Sequence, residues 1–207
     1  ERGGPRDGAW AKNTAWSGTT VVEAGIHETD LMRFWFGDIA WVQAAYVERD
    51  PDDVEDGGDN PYAYSVTCGF KRGGVGNLIL SRLRKVYRLD GYRIILWDHG
   101  HLKFEGAELA AYSYRGPYPP GQPPQPEQLR QVLPAEPAGN PNEAINRAFL
   151  QAVRTGDPAP LRSTFPGSMN SLAAVLAANA SHHRNGERID LEAFRFADAY
   201  AGLRAKP

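Results

Sequence analysis

Glu23, His27 and Asp30 are the residues of this chain whose types and spacing best suit chemistry. They lie at i, i+4 and i+7 of the stretch TTVVEAGIHETDLMRFW, residues 19–35. On a single helix that spacing projects all three from one face. A carboxylate one turn before an imidazole fixes the tautomer of the ring and raises its basicity, and histidine titrates near neutral pH. The pair Glu23–His27 therefore suits general acid/base work. The structural alternative is that Glu23 closes a helix cap and His27 is a satisfied core histidine. A zinc site is not indicated, because His27-Glu28 lacks the second histidine of the HExxH pattern.

The element that must position these groups is one helix over 19–35. Thr20 followed by Glu23 three residues later is a capping-box signature, so the helix is expected to start there. Ile26, Leu31 and Phe34 point toward a core, and Gly37 follows as the C-cap. Gly25, inside the first turns, costs about 1 kcal/mol relative to alanine, which implies that something passes close to the backbone there. Residues 1–18, rich in glycine and arginine, read as a loop leading to the cap.

The run Ser17-Gly18-Thr19-Thr20-Val21-Val22-Glu23-Ala24-Gly25-Ile26-His27-Glu28-Thr29-Asp30-Leu31, with Trp35 and Gly37 beyond it, resembles the signature of the Gfo/Idh/MocA oxidoreductases: a glycine run, then D-x-G-x-H-x-x-D, a hydrophobic stretch and a glycine. That signature belongs to the second, substrate-binding domain of these NAD(P)-dependent enzymes. There the Asp and His of D-x-G-x-H lie beside the substrate and the nicotinamide. By position the resemblance makes Glu23 and His27 catalytic, Gly25 cofactor-facing and Asp30 substrate-side or helix-anchoring. In the lead-in it makes Trp10 and Lys12 candidates to contact a polyol or sugar by stacking and hydrogen bonding. Two departures stand out: the glycine run is reduced to Gly18 followed by threonines, and the first carboxylate is glutamate, one methylene longer than aspartate.

A chain of 207 residues with 42% hydrophobic content can bury a sizeable core. A net charge of −2 gives no electrostatic case for nucleic acid or an anionic membrane, and no stretch is long and apolar enough to span a bilayer as a helix. The lone cysteine, Cys68, precludes an internal disulfide and sits in a strand pattern as a small buried hydrophobe. A cytoplasmic location is the expectation.

Strands are expected at Ile39 to Val47, Tyr62 to Phe70, Val75 to Arg84 (with Arg82 and Arg84 on one face), Gly91 to Trp97, His101 to Phe104 and Glu108 to Tyr114, joined by tight turns into an antiparallel meander. The acidic segment 50–60, DPDDVEDGGDN, lacks the ligand spacing of an EF-hand and reads as a solvated turn. His99 and His101 have no third partner for a metal and read as turn and strand residues. Residues 116–141 hold more than half of the chain's 16 prolines and read as a surface excursion unable to enter a sheet interior. Two helices follow. Asn140-Pro141 with Glu143 caps the first, with Ile145, Phe149, Ala152 and Val153 as its buried stripe. The second runs from Gly167 to His183, with Met169, Leu172, Val175, Leu176 and Ala180 on its apolar side and His182 and His183 complementing the dipole at its end. A short strand over 188–191 and a helical tail from Ala193 complete the pattern.

The expected fold is α+β: an open, mainly antiparallel sheet with helices packed on one face, all in one domain over 1–207 with a proline-rich excursion at 116–141. The resemblance implies the architecture of a glyceraldehyde-3-phosphate dehydrogenase-like C-terminal domain. It also implies an NAD or NADP cofactor held mainly by a preceding Rossmann domain, which this chain lacks along with the E-K-P lysine, so the chain by itself is expected to be inactive. The expected activity is hydride transfer to or from a sugar, polyol or related hydroxy compound, with His27 as acid/base and a homo-oligomer built through the sheet face. The alternatives are a non-catalytic oligomerisation or ligand-binding domain of the same fold, and a carbohydrate-binding module using Trp10, Trp16 and Trp41.

Overall fold

The computed structural model describes residues 10–50, 52, 58–81, 93–105, 108–113, 120–121, 129–134 and 139–204. Contacts divide the chain into two compact units, Glu1–Lys85 with Ser163–Pro207, and Val86–Arg162.

In the first unit, a 3-10 turn at Trp10–Lys12 leads into helices α1 (Thr14–Ser17), α2 (Thr20–Glu23) and α3 (Gly25–Phe36). Strands β1 (Ile39–Val47), β2 (Ala63–Phe70) and β3 (Val75–Ser81) follow as an antiparallel meander. Alternation fixes the faces. Val42 and Ala44 of β1, Tyr64, Val66, Cys68 and Phe70 of β2, and Leu78 of β3 are buried, as the period of two requires. The β2–β3 hairpin turns at Lys71 to Gly74, where Gly73 and Gly74 hold φ of +92° and +91°, a conformation that glycine adopts without penalty.

Across the chain in the second unit, β4 (Ile94–Trp97), β5 (Gly100–Glu105), β6 (Glu108–Ser113) and β7 (Arg130–Leu133) form a separate antiparallel sheet in that order, and helix α4 (Pro141–Thr155) follows. Strand β7 is a departure from expectation, since it lies inside the proline-rich stretch. Its segment 127–133, EQLRQVL, is free of proline, and β7 takes the sheet edge, where a flanking proline is tolerated. Arg130 pins that edge: its guanidinium bonds Glu105 on β5 at 2.9 Å and Glu108 on β6 at 2.8 Å. Glu105 also accepts from the Tyr112 hydroxyl at 2.8 Å. That bond, then the Arg130 pair, holds the Glu105 carboxyl down to about 2.

The caps of α4 are as expected, with Asn140 accepting from the Asn142 amide and Gly156 left-handed at its end. Its stripe is not buried. Ile145, Phe149 and Val153 are exposed, and no residue of the helix is buried among those described. An amphipathic pattern fixes which face is apolar but not what covers it.

The chain returns to the first unit with α5 (Phe165–His183), β8 (Ile189–Asp190), α6 (Leu191–Phe196), a 3-10 turn at Asp198–Tyr200 and α7 (Ala201–Arg204). Helix α5 begins two residues before the expected Gly167, because Thr164 is the cap and accepts from the Gly167 amide. Its core face is built from Ala173, Ala174, Val175, Ala177, Ala178 and Ala180, whereas Leu176, expected on the apolar side, is 40% exposed. β8 extends the sheet, whose order is β3-β2-β1-β8. The fold is thus α+β with open antiparallel sheets and helices. The Arg82 and Arg84 positions and most of the proline-rich stretch lie outside the described residues.

Cys68 is 1% exposed, and burial pushes its thiol up to about 12. The unfolded chain ionises this group near 9.0, so its contribution to stability is complete below that pH and is lost as pH rises toward 12. Native protein at neutral pH should therefore react with a thiol reagent only at the rate of unfolding. Labelling at the rate of a free cysteine would contradict this packing.

Candidate functional site

The site is built on the entry to α3. The stretch 19–35 is not one helix: α2 ends at Glu23, Ala24 takes φ −102° and ψ −37°, and α3 begins at Gly25. The Thr29 hydroxyl bonds the Gly25 carbonyl at 2.9 Å, the type of back-bonding that bends helices. The N-cap is Thr19, with no side-chain cap bond, so the expected Thr20 capping box does not start the helix. The Thr20 hydroxyl instead accepts from the Tyr64 hydroxyl at 3.1 Å.

Gly25 answers the question its presence raised. A Cβ there would come within 3.2 Å of both Leu78 Cδ2 and Leu80 Cδ1, so the close neighbour is the sheet. His27 is exposed, and Glu23 is half-buried one turn earlier. Asp30 is half-buried: its Oδ1 accepts from Arg33 Nε at 3.1 Å and from Ser171 of α5 at 2.6 Å. It anchors α3 to α5, and Arg33 Nε also reaches Ser171 at 2.9 Å. The expected single face is thereby split. His27 stays in contact with solvent, and one Asp30 oxygen is committed to packing. Phe34, expected in the core, is 65% exposed.

The lead-in is ordered by a residue that sequence reasoning placed in a solvated turn. Asn60 is fully buried. Its amide donates to Ala11 O at 2.8 Å and to Ser17 Oγ at 3.2 Å, and its carbonyl accepts from Thr14 Oγ1 at 3.1 Å. The amides of Asp59 and Asn60 both reach the Lys12 carbonyl at 3.1 Å. These bonds fix the turn that carries Trp10, 43% exposed, and Lys12, half-buried. The only sequence signal was an asparagine directly before Pro61.

A second network closes around Asn179 on α5. Its carbonyl accepts from Thr19 Oγ1 at 2.9 Å and from the Tyr46 hydroxyl at 2.8 Å, and its amide donates to Gly18 O at 2.6 Å. Burial, then the neighbouring Tyr64 and Glu48, pushes the Tyr46 phenol far above its ordinary range, so it stays a donor. Tyr46 also stacks on His182, with centroids 4.4 Å apart. His182 Nδ1 accepts from the Tyr46 amide at 3.2 Å, so the ring proton lies on Nε2, which faces Glu48. His182 is thus tied to the sheet beyond the end of its helix.

Among the described residues no group of three or more His, Cys, Asp or Glu could hold a metal ion, and no helix is long and apolar enough to cross a membrane. The described residues also do not fit a dinucleotide by themselves. The space beside Gly25 is filled by Leu78 and Leu80, and Gly73–Gly74 lies in a hairpin with no helix N-terminus behind it.

The motif segment and the antiparallel sheet are those of a C-terminal alpha/beta domain of the oxidoreductase family. The family model "Oxidoreductase family, C-terminal alpha/beta domain" matches residues 2–186, and the chain belongs to that Gfo/Idh/MocA family. No curated protein matches. Among solved structures it is similar to an Agrobacterium radiobacter oxidoreductase in complex with NAD+, L-tartaric acid and magnesium, at 17% identity over 84% of this chain and 49% of that one, TM-score 0.62. It is also similar to the Bordetella pertussis WlbA dehydrogenase in complex with NADH and UDP-GlcNAcA, at 17% identity over 87% and 47%, TM-score 0.61. A third likeness is biliverdin reductase from a Synechocystis species with biliverdin and NADP+, at 16% identity over 87% and 51%, TM-score 0.65. At these identities the likeness is one of fold, and the chain spans about half the length of each structure.

Asn60→Ala should lower unfolding stability by about 1–3 kcal/mol, because it strips partners from Ala11, Thr14 and Ser17. Denaturant unfolding, with proteolysis reporting on residues 10–18, measures it. A variant as stable and as resistant as the parent would remove Asn60 from this role.

Proposed function

We propose that this chain is the substrate-binding and oligomerisation half of an NAD(P)-dependent oxidoreductase acting on a sugar, polyol or related hydroxy compound. The observation that carries the reading is the exposed His27, one turn after the half-buried Glu23, within the motif of this family. A nicotinamide held by the rest of such an enzyme supplies the hydride chemistry. The residues of this chain handle the proton and hold the substrate. His27 exchanges the proton of the substrate hydroxyl through its imidazole, and Glu23 orients the ring or accepts from a second hydroxyl. Trp10 and Lys12 offer a ring face and a donor to the same compound. Asp30 contributes through position, since its bonds to Ser171 and Arg33 set the rotation of α3. In the longer enzyme, His27→Ala should lower turnover by on the order of 10²–10⁴. Unchanged turnover would transfer the reading to a non-catalytic domain of the same fold.

The oligomer rests on the sheet face opposite α5. Cross-strand rows there are Trp41–Gly69–Val75, Gln43–Thr67–Asn77, Ala45–Ser65–Ile79 and Val47–Ala63–Ser81. Val47, Val75 and Ile79 are 59%, 60% and 72% exposed, an apolar set that a second copy of the chain can cover. Ile79→Lys should shift sedimentation toward the monomer, whereas an unchanged distribution would place the interface elsewhere.

A further inference from the structure

We propose that Asn179 is a positioning residue that holds Thr19 in a glycine-type backbone conformation and thereby sets the start of α2, which carries Glu23 and leads into α3 with His27. Thr19 has φ 103° and ψ 163°, a region that is essentially restricted to glycine and is costly for a β-branched residue. It is 5% exposed, so water does not relieve it. Its neighbour Gly18 is also at positive φ, +73°, and serves as C-cap of α1 with its amide on Thr14 O. The turn 18–19 is Gly-Thr, followed by Thr20, so a threonine occupies the glycine-type position. A compensating restraint is therefore required, and Asn179 supplies it from three directions: Gly18 O, Thr19 Oγ1 and, through its own carbonyl, the Tyr46 hydroxyl. Tyr46 in turn is fixed edge-on against Tyr64, centroids 4.7 Å apart, and Tyr64 bonds Thr20. The restraint thus runs from α5 and the sheet to both residues at the start of α2. From there the Glu23 amide reaches Thr19 O at 3.0 Å, the Ala24 amide reaches Thr20 O at 2.9 Å and the His27 amide reaches Ala24 O at 3.3 Å.

The link from this device to catalysis rests on the function proposed above, but the device itself is tested without any substrate. Hydrogen exchange is read at the amides of Glu23, Ala24 and His27 and, for comparison, at the Val66 and Cys68 amides of β2. Asn179→Ala should speed exchange at the first set by about ten- to a hundredfold, the range matching the strain of such a residue, with a smaller change at β2. In a Thr19→Gly background the same substitution should change exchange at those amides by less than about threefold, because glycine needs no restraint. In a Thr19→Val background, which keeps the backbone demand and removes only the hydroxyl, the large effect should persist. Should Asn179→Ala not fold, Tyr46→Phe runs the same comparison with one bond removed. Equal effects of Asn179→Ala in the glycine and valine backgrounds, or equal acceleration at β2 and at 23–27, would overturn the proposal. Loss of turnover in His27→Ala without any of these exchange changes leaves the catalytic reading standing, and the reverse result leaves the device standing without it.

Discussion

The structure depends on how the open flank of β1 is closed. β8 pairs with β1 only at Trp41 and Val42, so the rest of that flank presents backbone groups that must find partners away from water. Helix α5 provides them through side chains. Asn170 bonds the Ile39 amide at 2.9 Å and the Ile39 carbonyl at 3.0 Å. Ser181 Oγ accepts from the Ala44 amide at 2.8 Å and donates to Glu187 O at 2.7 Å. His182 Nδ1 takes the Tyr46 amide. Asn170, Ser181 and His182 lie on the helix that also supplies the hydrophobic layer, so covering the edge and packing the core are one event.

That constraint explains the composition of α5. Polar groups short enough to bond a strand backbone require the helix axis to come close, and a run of alanines permits it. Ala174, Ala177 and Ala178 are at most 1% exposed. Larger residues at those positions would hold the helix off the strand and leave the Ile39 and Ala44 groups unpaired, a cost of about 1–3 kcal/mol for each. The same helix then reaches the other way. Ser171 receives α3 through Asp30 and Arg33, and Asn179 receives the turn before α2. The motif helices are placed from one surface, and His27 is left exposed.

Trp41 and Gly69 show the same logic on the opposite face. A Cβ at position 69 would lie 2.1 Å from the Trp41 ring, so the indole lies flat over the glycine, and the Arg188 guanidinium stacks on it at 4.2 Å. The indole shields a strand glycine that has no side chain of its own to pack. In the second unit the task of securing an edge falls to charge instead. Arg130 on β7 is held by carboxylates from β5 and β6, with Tyr112 completing the set.

The sequence by itself determined the fold class, the meander of β1 to β3, the caps at Gly37, Asn140 and Gly156, and the family to which the chain belongs. These follow from local rules: a period of two in the strands, turn and cap residues where φ turns positive, and a motif of fixed spacing. The tertiary structure decided what those rules leave open. The backbone breaks at Ala24, with φ −102° and ψ −37°, and the leucines of β3 close on the next residue, Gly25. Asn60 and Asn179 emerged as organising residues because their partners lie more than 40 and more than 130 residues away in the chain, beyond any local pattern. Asp30 shares a helix with His27, yet one of its carboxylate oxygens is committed to Ser171 of α5. Spacing places side chains on a helix, but only packing decides which of them remain in contact with solvent.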